Sequence, residues 1–381
     1  VDTSDDWIRS RTGIKQRYIV EDGEASSDIS TKIAEQLLEK SNIHSDEIDL
    51  IIVGTVTPDH YTPSTAALVQ KNINANNAWG FDLSAACSGY IFALETGSNF
   101  IKSGQYKNVM VIGVDTMSSI LDFQDRDTCV IFGDGGGGAI LQPTNEKYGI
   151  IDSILHMDGN GGDYLIVPAG GSRIPASIDS VTNRSHFIKQ DGKTVFKHAV
   201  KGMAEVSKKI LTKNNLSGND ISLFIPHQAN KRIIDAAAQK CGIEEDKVLI
   251  NIEKYGNTTA GTIPIAMNEA ITENKINDGD YILLSSFGAG FTWGSMLIKW
   301  GMRILKTAWI FPGQGSQYIG MGEDLYERSE LAKEYFKISK EILGFDVLSI
   351  ISNGPEDLLN KTKYTQPSIF ITSVILGKIL N

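Results

Sequence analysis

The sequence predicts an α/β fold built from two copies of one strand-and-helix unit, followed by an incomplete C-terminal α/β fragment. Three features lead to it. Segments before residue 150 recur at one fixed spacing later in the chain. Within each copy, short apolar runs alternate with stretches of helical periodicity. Beyond Trp300 a new pattern starts and runs to Asn381.

The repeat is the strongest of these. Lys40–Ile52 resembles Lys213–Ile225, so that Ile221 follows Ile48 by 173 residues. Both stretches read as a helix end, a polar turn and a buried strand. Val109 and Ile282 are related by the same shift, as are Leu83–Leu94 and Gly256–Met267. Three matches at one offset imply a duplicated unit about a pseudo-twofold axis. The second copy is expected to open with a strand at Ile150–Leu155. Its counterpart would precede Val1, so one strand is expected to be missing and a sheet edge left uncovered. A chain carrying that strand is expected to be more stable. The expected boundaries are 1–149 and 150–300 for the copies, 301–306 for a linker and 307–381 for the fragment.

Composition narrows the class. Of 381 residues, 41% are hydrophobic, which suits two or three sizeable units. The formal charge is −10 with both signs mixed along the chain, so nucleic acid is not an expected partner. No apolar run approaches the roughly 20 residues that span a bilayer, so no membrane partner is expected. Cys87, Cys129 and Cys241 show no metal-ligand spacing and cannot all pair. A reducing, cytoplasmic setting without a metal is the simplest account.

In chain order, the first stretch with chemical content is Asp82–Gly89. An apolar strand (Trp79, Phe81, Leu83) runs into small residues, and a helical pattern (Ile91, Leu94, Ile101) follows. Cys87 therefore sits at a strand-to-helix junction, where free N–H groups and the helix dipole favour a thiolate. The alternative is a small buried hydrophobe, the commoner fate of a free cysteine. Gly133–Gly138 is compatible with a phosphate loop, but Ala139–Leu141 reads as strand rather than helix, so a tight turn is expected.

In the second copy, the strand Ser222–Pro226 ends at His227, where α/β sites form. A hydrogen-bonded structural histidine is the competing reading. Ala260 is the counterpart of Cys87, which puts Asn257 near the start of the mirrored helix. Asn257 is then an N-cap or an amide donor beside the thiol. The small residues of Ser285–Phe291 offer N–H groups to an oxyanion, or simply a glycine turn.

Together these stretches resemble a family. Ala85-Ala86-Cys87-Ser88-Gly89, Pro226-His227-Gln228-Ala229-Asn230, Gly256-Asn257-Thr258 and Phe287-Gly288-Ala289-Gly290-Phe291-Thr292-Trp293-Gly294 are similar to β-ketoacyl-acyl-carrier-protein synthase III. Asp5-Asp6-Trp7-Ile8, Arg11-Thr12-Gly13-Ile14 and Phe132-Gly133-Asp134-Gly135 fit it too. The resemblance runs from Val1 to about Trp300, without the family's opening strand. It implies a thiolase-like duplicated α/β fold in five layers, αβαβα. It implies decarboxylative condensation of an acyl-CoA starter with malonyl-acyl carrier protein, without a cofactor, in a cytoplasmic homodimer.

By motif position the resemblance makes Cys87 the acyl acceptor, with His227 and Asn257 supporting decarboxylation. It assigns the N–H groups of Cys87 and Ala289 to an oxyanion hole, Ala289 standing where glycine is common. Trp7, Arg11, Arg126 and Arg232 fall at positions that hold the CoA adenine and phosphates, and Asn230 at one that orients pantetheine. Phe132, Phe287 and Thr62 fall in the acyl pocket, Thr62 reaching it from a partner subunit. Thr62 is smaller than the aromatic group often found there, which implies room for starters longer than acetyl. The pair Lys231-Arg232 is a candidate contact for an acidic carrier protein.

After Trp300, Thr307–Gln317 reads as a strand entering a glycine loop, with a helix at Ala332–Leu343 and then Tyr364-Thr365-Gln366-Pro367. This resembles the opening of malonyl-CoA:acyl-carrier-protein transacylase. Gln314 matches a position near that family's oxyanion hole, but the serine and histidine of its site are absent, so no transacylase activity is expected. Met302 resembles the start of a neighbouring reading frame, and the fusion is read as an artefact. A thiolase would need a second late cysteine, and an elongating ketosynthase a second histidine where Asn257 stands. The remaining alternative is a catalytically impaired dimeric CoA- or carrier-binding protein.

Overall fold

The computed structural model describes residues 1–301 and 313–379. Its contacts divide the chain into a unit Val1–Met302 and a unit Arg303–Asn381.

The first half of the larger unit runs α1 (Asp5–Thr12), α2 (Ser26–Ser41), β1 (Leu50–Gly54), α3 (Thr65–Asn72), β2 (Trp79–Leu83), α4 (Gly89–Lys102), β3 (Val109–Asp115), α5 (Arg126–Cys129) and β4 (Gly135–Leu141). Its sheet has the order β2-β1-β3-β4. The first three strands are parallel and β4 is antiparallel. The second half runs β5 (Gly149–Met157), β6 (Leu165–Ile166), α6 (Ile178–Thr182), β7 (Lys189–Gln190), α7 (Gly192–Lys213), β8 (Leu223–Pro226), α8 (Lys231–Cys241), α9 (Ile252–Tyr255), α10 (Thr262–Thr272), β9 (Tyr281–Gly288) and β10 (Thr292–Lys299). Here the sheet order is β5-β10-β9-β8, with β8 and β9 parallel.

Strand alternation sorts the side chains into layers. Leu50, Ile52, Val109 and Val111 point to one side of the first sheet, and Leu223, Ile225, Ile282 and Leu284 to one side of the second. Both sets meet the same helices, through Ile91 and Leu94 of α4 and Ile263 and Ala266 of α10. Ile51, Val53, Met110 and Ile112 face the other way, against Ala34 of α2 and Ala66 and Val69 of α3. Phe224 and Leu283 likewise face Ile210 of α7 and Ala238 of α8. The result is helix, sheet, helix, sheet, helix, the five-layer thiolase-like arrangement. Burying one such Leu or Ile contributes about 1.5–3 kcal/mol, so the central helix layer holds the halves together.

Three local outcomes differ from or extend the sequence reading. Gly135–Gly138 is not a turn but the start of β4. A Cβ at Gly136, Gly137 or Gly138 would lie 2.9 Å from Gly113 O, 2.9 Å from Pro264 Cβ and 2.6 Å from Val111 O respectively. The glycines are there because the strand lies flush against its neighbours, not because the chain reverses. In the second half, the segment before Gly256, which the 173-residue shift relates to β2, is the short helix α9. Finally, among the described residues nothing pairs with the outer edge of β4, the place where β5 lies against β10 in the other sheet.

The smaller unit is helical from Glu323 on, after a run of turns over 313–322: α11 (Glu323–Arg328), α12 (Glu330–Leu343), α13 (Val347–Asn353), α14 (Glu356–Leu359) and α15 (Thr362–Ile379). They pack around Phe336, Val347, Ile351, Leu359 and Ile375. Gln366 donates to Gln314 Oε1 at 3.2 Å. Of the stretch Thr307–Gln317, expected as a strand entering a glycine loop, residues 307–312 lie outside the described residues, as do linker residues 302–306. No helix among the described residues is long and apolar enough to cross a membrane.

Candidate active site

The duplicated junctions face each other. Ala86–Ser88 forms a single tight turn ahead of α4, and Thr259–Gly261 forms the same turn ahead of α10. Ala86 and Thr259, related by the repeat, hold the same left-handed backbone, with φ of 49° and 48°. Each turn is buttressed by a strand end from the other half. The Ser286 hydroxyl at the end of β9 donates to Cys87 O at 2.7 Å. Asp115 at the end of β3 accepts the Ala260 N–H at 3.1 Å.

Between these turns lies a cavity of about 210 Å³ lined by Cys87, His227 and Asn257. Its apolar wall comes from Phe132, Leu165, Val195, Phe196, Ala199, Ile233 and Phe287. Three side chains that are far apart in sequence thus share one small space, with polar groups few among apolar ones.

His227 is held through its backbone, its N–H donating to Ser285 O at 2.8 Å. Its ring is buried and neither ring nitrogen has a partner. Two unsatisfied nitrogens on a buried ring are costly unless something else binds them. A satisfied structural histidine is therefore ruled out, and the nitrogens are free for a bound molecule. Burial without a counter-charge pushes the imidazole down to about 3, so the ring is neutral at neutral pH.

Asn257 accepts the Thr259 N–H through Oδ1 at 2.9 Å. The bond closes a local turn two residues on rather than capping α10, whose cap position is Gly261, and it leaves the amide NH₂ as the free end. Its backbone is gripped by the other half: Asn257 N–H donates to Ile131 O at 3.0 Å, and Gly133 N–H to Asn257 O at 3.0 Å.

Cys87 departs from the sequence expectation. Burial, with Asp115 adding its negative field, pushes the thiol up to about 12. The resting group is a thiol and not a thiolate, because desolvation outweighs the favourable effect of its own N–H and the helix start. Gly288 closes β9 beside it, and a Cβ there would lie 2.7 Å from the Cys87 amide nitrogen. Ala289 is not among the residues with a left-handed backbone, so alanine replaces glycine there without strain. Its N–H follows directly on the wall formed by Gly288.

The other expected site residues divide into two groups. Trp7 and Arg126 lie together, the guanidinium 4.8 Å above the indole centroid. Arg232 reaches back to Ser10 O at 3.1 Å, and Asn230 donates to Arg11 O at 3.1 Å while accepting the Arg232 N–H. Helix α1 is thereby tied to the start of α8, and Asn230 also lines the cavity. Both polar ends of Asn230 are committed within the protein. Lys231 is paired with Asp235 at 2.8 Å. Thr62 lies on an exposed turn outside the cavity of its own chain.

Sequence reading missed the wall supplied by Val195, Phe196 and Ala199 of α7 and by Leu165 of β6. Only the apolar stripe of α7 hinted at it. It also passed over Asp115, whose surroundings come entirely from distant loops. The three cysteines are all free, and no metal-binding cluster occurs among the described residues.

Comparison with known proteins is direct. The 3-oxoacyl-[acyl-carrier-protein] synthase III family matches residues 81–159, and its C-terminal part matches residues 211–300. An acyl transferase domain matches residues 308–380. The β-ketoacyl-[acyl-carrier-protein] synthase III of Chlorobaculum tepidum is 55% identical over 303 residues, 79% of this chain and 92% of that protein. That of Koribacter versatilis is 52% identical over 79% of this chain and 91% of its own length. Among solved structures, the 3-oxoacyl-[acyl-carrier-protein] synthase III of Aquifex aeolicus superposes with a TM-score of 0.72 at 43% identity, covering 78% of this chain and 92% of that one. The Thermus thermophilus enzyme gives 0.74 at 40% identity, over 79% and 92%. With two duplicated junctions closing on one cavity, and this identity over nearly the whole length of its relatives, the chain belongs to the β-ketoacyl-acyl-carrier-protein synthase III family.

Proposed function

We propose that the cavity carries out the family's two-step condensation of an acyl-CoA starter with malonyl-acyl carrier protein, the first carbon–carbon bond of type II fatty-acid synthesis. The observation that carries the reading is His227, a buried neutral imidazole with both nitrogens unpartnered, sharing one cavity with Cys87 and Asn257. In the first step the Cys87 sulfur attacks the acyl-CoA carbonyl, the carbon–sulfur bond to CoA breaks, and the thiol proton leaves with the CoA sulfur. In the second, malonyl carrier protein loses CO₂. His227 N–H and the Asn257 amide donate to the thioester oxygen as it takes on enolate charge. The carbanion then attacks the acyl-Cys87 carbonyl, and expulsion of the cysteine sulfur as a thiolate, which takes a proton from solvent to restore the thiol, releases the β-ketoacyl carrier protein. Cys87 and Ala289 N–H groups receive the oxyanion of each tetrahedral intermediate.

Trp7 and Arg126 offer an indole face and a guanidinium for the CoA adenine, with Arg11 and Arg232 for its phosphates. Lys231 and Arg232 would meet the acidic carrier protein. No cofactor enters these steps. A second copy is proposed to pair along the open edge of β2, where Trp79 is 45% exposed. Such a dimer would bring Thr62 of one copy to the acyl pocket of the other, with room for starters longer than acetyl. Phe132 and Phe287 would line the same pocket.

The test is transfer of label from acyl-CoA to the protein, together with CO₂ release from malonyl carrier protein. Cys87→Ala should abolish label transfer. Binding of CoA esters without label transfer by the unaltered chain would instead favour the impaired binding protein. Butyryl- and longer CoA esters should compete well with acetyl-CoA, and a strong preference for acetyl would defeat the role given to Thr62.

A further inference from the structure

Asp115 is a fully buried carboxylate that none of these steps uses. Among the described residues it forms no ion pair, and it is held by donors alone. Its Oδ1 accepts the Val56 N–H at 2.7 Å, the Thr57 N–H at 3.2 Å and the hydroxyls of Thr55 and Thr57, each at 3.0 Å. Its Oδ2 turns to the other half, accepting the Ala260 N–H at 3.1 Å and the Thr259 hydroxyl. The Thr259 N–H in turn donates to Asn257 Oδ1 at 2.9 Å. The chain of contacts is short: carboxylate, turn, amide.

The repeat supplies the comparison that gives this meaning. The counterpart of Asp115 is Gly288, 173 residues on, and it stands against the Cys87 turn as Asp115 stands against the Ala260 turn. In one half the strand end carries a carboxylate that claims the N–H at the junction. In the other it carries no side chain, and the Cys87 N–H stays unclaimed. Two sites of one ancestry have thus been set to opposite uses, one tied shut and one left open.

We infer that Asp115 is a positioning residue for decarboxylation: its carboxylate fixes the Thr259–Ala260 turn and, through Thr259, aims the Asn257 amide at the malonyl thioester. This rests on the reading of Asn257 as a donor, and the experiment separates the two. In the full-length protein, label transfer from acetyl-CoA to Cys87 is measured on the free enzyme, and CO₂ release from malonyl carrier protein on pre-acylated enzyme. Asp115→Asn turns an NH₂ toward groups that are themselves donors. It should lower CO₂ release by roughly 10²-fold, the effect of a misplaced catalytic group, without lowering acylation, since losing the Asp115 charge removes the field that helps hold the Cys87 thiol up. Thr259→Val removes only the hydroxyl and should lower CO₂ release selectively, whereas Thr259→Ser should restore it. Thr259→Val also keeps the test open if Asp115→Asn fails to fold. Equal loss of both half-reactions in Asp115→Asn and Thr259→Val, or unchanged CO₂ release, would overturn the inference. Asn257→Ala is the control. Unchanged CO₂ release there would overturn the reading of Asn257 itself and the inference with it. Loss of CO₂ release in that variant alone would overturn the role of Asp115 only.

Discussion

At the scale of single residues, His227 and Gly288 show how much depends on what a group lacks. The imidazole has an ordinary value of 6.5 and is pushed down to about 3 in the folded protein. Between these values the unfolded chain binds a proton that the folded one refuses, so stability falls as pH drops below about 6.5. His227→Gln should flatten the acid limb of a urea-denaturation series between pH 6.5 and 4, while abolishing CO₂ release. Gly288 contributes by having no Cβ. Gly288→Ala would press a methyl against the Cys87 amide nitrogen and block the proposed oxyanion donor. The expected outcome is a fall of 10²-fold or more in kcat for condensation, the usual size for one lost donor. The residues themselves were legible: Cys87, His227 and Asn257 each sat in a distinctive run of small or polar neighbours. The state of the thiol was not, because desolvation depends on what the remaining chain packs around a sulfur.

At the scale of elements, continuous apolar runs made β1, β3, β8 and β9 readable, because these strands are buried on both faces, and the repeat related β1 to β8 and β3 to β9. Strand β4 was misread as a turn for a physical reason. Glycine is disfavoured in strands by entropy and lack of side-chain contacts, and local sequence cannot show that neighbouring backbone leaves no room for anything larger. Gly138→Ala should destabilise the protein by about 1–3 kcal/mol, as overpacking does, seen as a lower denaturation midpoint with an unchanged slope. The short helix α9 breaks the repeat, since the edge of β8 that a counterpart of β2 would join is met by Val248 and Leu249, a few residues earlier. The wall from α7 was also hidden. Val195, Phe196 and Ala199 read as an ordinary buried stripe, and only the placement of β6 and β9 turns that stripe into part of a cavity.

At the scale of the whole molecule, every residue expected in the condensing site lies in the unit Val1–Met302. A chain ending at Gly301 should keep its condensing activity, measured as β-ketoacyl carrier protein formed per enzyme. The complete chain should hydrolyse or transfer no malonyl group through its C-terminal part. Within the larger unit, the support of each junction by the opposite half has a further consequence. Neither half is a finished object, because the backstop for one half's reactive turn is manufactured by the other. A substitution along this seam is therefore felt in two places at once, so the copies cannot drift independently. Their divergence has to proceed as matched pairs, like the two faces of a lock cut from one blank.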